Sequence, residues 1–193
     1  MSKFDELRAQ CADWEDRLMK NQMQSLQFVL ALANGFSDYI GAPKEYIDFD
    51  RSKNLRIKPC RVTIDDKGEV HYQETADITK IIELDGDGYC ISGITVVIDR
   101  DEKVHPKRHF RFAIKFILQK NIGSIYVANI KGDKIDFELD NPDLTPIYER
   151  MLSFFQKIFK AEPWDIRGDD KVDFERPIGF LAPETQANTK TGQ

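Results

Sequence analysis

Cysteine is scarce in this chain. Cys11, Cys60 and Cys90 are odd in number, widely spaced and form no CxxC pair, which argues against a disulfide framework and a zinc site and for reduced thiols. Histidine is as rare, with three in 193 residues. No apolar run is long enough to cross a bilayer: the most apolar stretch, LQFVLALANGF at 26–36, falls well short of the roughly 20 residues a spanning helix needs. The opening MSKFDELRAQ is charged and carries no apolar core, so no secretory signal is expected. A phosphate-binding loop is also missing, because Gly86-Asp87-Gly88 lacks the further glycines, the lysine and the helix that such a loop uses. These gaps point to a cytoplasmic chain without membrane association, without a bound metal and without a cofactor.

What is present suits a folded body. Hydrophobic residues make up 41% and charged residues 32%, ordinary values for a globular protein. The length favours one core, expected here as a single domain over 1–181 with a flexible polar tail at 182–193. The net charge of -5 favours solubility and names no partner.

The element pattern predicts an α+β fold: a long N-terminal helix, an antiparallel meander of about six or seven strands, and a C-terminal helix packed on the sheet. Phe4, Leu7, Cys11, Trp14 and Leu18 recur at alternating spacings of three and four, which places them on one narrow helical stripe. From Leu26 the apolar residues wrap most of the circumference, as in a buried helix. Unbroken from Lys3 to Asn34, this helix would run about 48 Å, against a radius of gyration near 16 Å for a compact chain of this length. It must therefore overhang the body or break in the polar patch at 20–27. An overhanging stripe calls for a partner, often a second copy, although Asn21 occupies a seam position.

Strand signals fill the stretch from Tyr46 to Leu139, with DDKG, GDG and Gly132-Asp133 as turns. Pro59 suggests that its strand lies at the rim. LDGDGY spaces Asp85 and Asp87 as calcium loops do, but position 12 of such a loop would be Val96, so a hairpin turn is the better account. Near the C-terminus, Leu144, Ile147, Tyr148, Met151, Leu152, Phe154, Phe155, Ile158 and Phe159 share a face roughly 160° wide, the mark of a helix lying on a sheet. Beyond it, Trp164, Phe174, Ile178, Phe180 and Leu181 are expected to tie an irregular, charge-balanced segment to the body.

The most distinctive stretch is KVHPKRHFRFAIKFIL at 103–118, which with Lys120 gathers six cations and no carboxylate. As a strand it turns Phe110, Phe112, Ile114, Phe116 and Leu118 to one side, and His109, Arg111, Ala113 and Lys115 to the other. Lys103, Lys107, Arg108, His109, Arg111 and Lys115 are thus candidate contacts for an acidic protein or anionic ligand. The competing account is that Asp99, Asp101 and Glu102, at the end of the preceding strand, neutralise these cations across the hairpin. Nucleic acid is a weaker candidate partner, since no outward aromatic interleaves with the cations.

Catalytic chemistry has a thin basis. His105 and His109 lie too far apart in an extended chain to share a metal. Asp99 or Asp101 could orient either imidazole as a base, but no nucleophile motif accompanies them. The expectation is a non-catalytic binding or adaptor module that self-associates through Phe4, Leu7, Cys11, Trp14 and Leu18 and presents the basic strand. The alternative is an enzyme or small-molecule carrier with an apolar cup between sheet and C-terminal helix and a His/Asp pair at its mouth.

Overall fold

The structure, a computed structural model, describes residues 2–65, 70–101, 107–127 and 133–160. The chain enters a single helix, α1, that runs unbroken from Lys3 to Tyr39, about 55 Å at 1.5 Å per residue. A capping box starts it: the Ser2 hydroxyl accepts from the Asp5 amide while the Asp5 carboxylate accepts from the Ser2 amide, satisfying donors that no preceding turn can reach. Only its last turns are buried, through Ser25, Leu26, Val29, Leu32, Ala33, Phe36 and Ser37.

A short ribbon of β1 (Glu45–Ile47) and β2 (Lys53–Leu55) follows, then β3 (Ile57–Ile64), β4 (Val70–Gln73), a 3-10 turn at Ile78–Lys80, β5 (Glu83–Leu84), β6 (Cys90–Ile98), β7 (Arg108–Gln119), β8 (Ile122–Val127) and β9 (Ile135–Glu138). The main sheet is antiparallel in the order β4-β3-β6-β7-β8-β9, with β5 also paired to β6. Helix α2 (Thr145–Lys160) closes the described chain, and the Asp143 carboxylate caps it by accepting from the Thr145 amide. The α+β architecture expected from the sequence is the one found.

The core lies between one sheet face and the two helices. Phe112, Phe116, Ile94, Ile114 and Ile125 of the sheet, Leu32 and Phe36 of α1, and Ile147 and Met151 of α2 are fully enclosed. Rings fill the join: Phe155 lies 5.8 Å from Phe110, 5.9 Å from Phe112 and 6.3 Å from Phe36, centroid to centroid. Helix α2 crosses α1 closely enough that a Cβ on Gly35 would overlap the Tyr148 hydroxyl. β6 is buried on both faces, because Ile91 meets Val62 and Ala113 in a second, smaller cluster on the far side.

One expectation needs correction. The strand carrying Pro59 is not at the rim, since β3 has neighbours on both sides. Its two halves are paired differently, however: Ile57–Cys60 pairs with β6, and Arg61–Ile64 with β4. Pro59 sits in the half facing a single neighbour, where its missing amide costs no ladder bond. The chain also breaks step at Arg56, so that Leu55 belongs to β2 and not to the strand that carries Pro59. The turn at 66–69, the loop at 128–132 and the C-terminal segment from 161 on, including Trp164, Phe174 and the expected tail, lie outside the described residues.

Candidate functional site

Two surfaces compete for a functional role, and the first is the basic strand. β7 alternates as its sequence requires: Phe110, Phe112, Ile114 and Phe116 are buried in the core, and the cations take the other face. Carboxylates of the same chain meet them there. Lys107 Nζ lies 3.0 Å from Asp99 Oδ2, with its side chain 1% exposed. Arg56 Nη1 reaches the same carboxylate at 3.1 Å. Arg111 Nη2 pairs with Glu74 at 3.3 Å, and Lys58 holds the other oxygen of Glu74 at 2.8 Å. Lys115 Nζ lies 2.6 Å from Asp85 Oδ2 and 4.6 Å above the Tyr89 ring.

The titration of these groups follows from the pairing. Burial pushes Asp99 up, but hydrogen bonds and charge from Arg56 and Lys107 outweigh it and leave the carboxyl below its ordinary range. Asp85 follows the same course, held down by Lys115 and by the Tyr89 and Asp87 amides. Glu74 is likewise lowered, by Lys58 and Arg111. The Asp85 bond in turn raises Lys115. The stripe is therefore not the bare cation surface that its own sequence suggests: at Lys107, Arg111 and Lys115 a ligand would have to displace an existing ion pair. Arg108 is exposed, while Lys103 and His105 lie outside the described residues.

Of the foreseen neutralisers, Asp99 reaches Lys107 by its side chain and Asp101 meets the same ammonium through its backbone carbonyl. Arg56, Glu74 and Asp85 were not legible as partners, because they arrive from β3's approach, β4's end and the 85–89 turn. Asp85 closes that turn by accepting from the Asp87 and Tyr89 amides, as the hairpin account requires.

The histidine centre is only half assembled. His109 sits half-buried on β7, its ring edge-on to Tyr46 at 6.2 Å, and burial pushes its pKa down. Its Nδ1 is buried without a hydrogen-bond partner among the described residues. Asp99, taken up by Arg56 and Lys107, is not positioned by any hydrogen bond to that imidazole. Between sheet and α2, where the cup was expected, phenylalanine rings pack instead. Two hollows lie away from that join, one of about 890 Å³ beside Gln119, Lys120, Ser124 and Asp136 at the β7–β8 turn, and one of about 390 Å³ between Met19, Met23 and Leu26 of α1 and Ile82 and Leu84.

The second surface is the outer half of α1. It neither breaks nor folds back, and Phe4, Leu7 and Trp14 are 66%, 62% and 57% exposed. Cys11 is exposed and Leu18 half-exposed, with Met19 and Met23 adding exposed apolar surface. At 100° per residue Phe4, Leu7, Cys11, Trp14 and Leu18 fall within roughly 40° of one line along the helix. Ser25, Val29, Leu32 and Phe36, all buried, continue that same line. The helix thus extends its core-facing stripe beyond the end of the core. Isolated apolar side chains are common on surfaces, whereas an ordered stripe left open among the described residues is not.

No family model, no curated protein and no solved structure matches this chain.

Proposed function

We propose that the chain is a non-catalytic binding module that self-associates through the outer half of α1. One observation carries this reading: the stripe Phe4–Leu18 repeats at coiled-coil spacing and lies ahead of the buried residues, exposed from Phe4 to Trp14, on a helix that runs unbroken. The basic strand has no part in it, because carboxylates of the same chain already pair with Lys107, Arg111 and Lys115. Sedimentation equilibrium should give a dimer or larger for the full chain. Leu7→Glu with Trp14→Glu should return it to a monomer whose body unfolds as before, since neither side chain takes part in the core. A full chain that stays monomeric up to about 100 μM, where even a weak coiled-coil pair associates, ends this reading.

The alternative, an enzyme or carrier acting through His109, draws on one feature, the half-buried imidazole whose Nδ1 has no hydrogen-bond partner among the described residues. It predicts that a small polar ligand shifts the His109 ring resonances, and that His109→Ala abolishes this binding. Ring resonances that stay put across a library of small polar compounds would remove it.

A further inference from the structure

Resting on the reading that α1 self-associates, we infer that the two copies pair antiparallel, with each helix running up to the other's body, in a register that sets Cys11 beside Trp14 of the second copy. Two independent observations lead there.

The first is steric. The seam at 4–18 and the buried residues Ser25, Val29, Leu32 and Phe36 share one line on α1, so the sheet occupies the seam side of the helix from residue 25 on. In a parallel pair the second helix would lie along that same side for its whole length. Its own residues 25–39 would then have to pass through the first copy's sheet. Turning the second helix around removes the conflict. Its start then meets the first copy near residue 24, just where the body begins, and its body falls beyond the first copy's Phe4. The seam from Phe4 to Asn21, half-exposed at Leu18 and Asn21, is about 26 Å long, and this arrangement covers what the body leaves open. Leu7 packs against Leu18 of the second copy, Cys11 against Trp14, and Phe4 against Asn21, so the polar seam residue falls at the open end of the interface.

The second is charge. Arg8 and Glu15 flank the seam on one side, and Lys3, Gln10 and Arg17 on the other. Antiparallel helices bring like flanks together, so Arg8 meets Glu15 of the second copy twice over. Parallel helices bring opposite flanks together, and would set Lys3 against Arg8 of the second copy, twice, with no compensating pair. Within the chain, Arg17 is held by the opposite charge of Asp13 at 3.0 Å, whereas Arg8 lies over the Phe4 ring and Glu15 accepts only from the Cys11 thiol. Among the described residues this leaves Lys3, Arg8 and Glu15 without an opposite charge and able to select orientation.

Disulfide trapping in the full chain tests this directly. In a Cys11→Ser background, Leu7→Cys and Leu18→Cys proteins are oxidised separately and as a mixture. Cys60 and Cys90 are buried and should not take part. The antiparallel register holds two copies of position 7 about 16 Å apart along the axis, so each protein alone stays uncrosslinked and the mixture forms the 7–18 bridge. Rapid crosslinking of either protein alone means a parallel pair, and overturns the inference while leaving self-association intact. A monomer in every sample overturns both. Because cysteine at these positions weakens the seam, a second test leaves the apolar residues untouched. Arg8→Glu and Glu15→Arg should each weaken self-association roughly tenfold by setting like charges together, and an equimolar mixture should recover it as a heterodimer by native mass spectrometry. Homodimers unaffected by either change would sink the register.

Discussion

The two halves of α1 have nearly the same pattern and opposite surroundings. From Ser25 to Ser37 the stripe is enclosed by the sheet and by α2, and Val29, Leu32 and Phe36 lose all their exposure. From Phe4 to Leu18 the same spacing of apolar residues faces outward. Helical periodicity therefore specifies a face but not what covers it. The inner half earns its place by burial within the chain; the outer half gains nothing until a second surface arrives. Its helical form leans on local devices, the Ser2–Asp5 capping box and the Asp13–Arg17 pair, because single helices of this length are marginal without packing.

Phe36→Ala should separate the halves most sharply. It removes a ring that touches Tyr148 and Phe155, and should cost roughly 3–5 kcal/mol in denaturant unfolding. The matching change in the outer half, Trp14→Ala, should leave the unfolding of the body within about 0.5 kcal/mol and act on the association state instead. A large loss of body stability from Trp14→Ala would mean that the outer half folds back onto the core after all.

Asp99→Asn comes next, as a break in the face that β7 turns away from the helices. It removes the carboxylate that holds both Arg56 and Lys107, and should cost about 3 kcal/mol; an unaltered melting curve would show that this cluster adds nothing. The same face sets a pH dependence that the outer helix should lack. Asp99, Asp85 and Glu74 all titrate lower in the fold than their ordinary values of 3.8, 3.8 and 4.5. The stability they contribute is thus complete above those values and is lost as pH falls through the lowered ones. Acid unfolding of the body should begin below pH 4 and shift upward in Glu74→Gln. The smallest effect belongs to Ser2→Ala, which should fray the first turns of α1, read as a small loss of helical ellipticity with the unfolding midpoint of the body unmoved.

The strand β7 marks how far periodicity can be read. Its alternation assigned Phe110, Phe112, Ile114 and Phe116 to the core and the cations to the opposite face, and both assignments stand in the structure. The neutralisation of Arg111 and Lys115 was hidden, because Glu74 and Asp85 lie 37 and 30 residues away along the chain and reach them only through sheet register. Pro59 shows the same limit. A proline excludes a ladder bond on one side of its strand, but which half of β3 pairs with β6 and which with β4 is set by the sheet.

What the sequence determined by itself is everything carried by spacing along the backbone: the two helices, the antiparallel strands, which side of β7 is apolar, and the narrow stripe that opens α1. Those follow from fixed periods of 3.6 and 2, which a chain obeys before it meets any distant part of itself. What only the tertiary structure decided is where the body stops beneath α1 and which carboxylates close on the basic strand. Both depend on residues far apart in the chain being brought side by side, and local spacing holds no record of that.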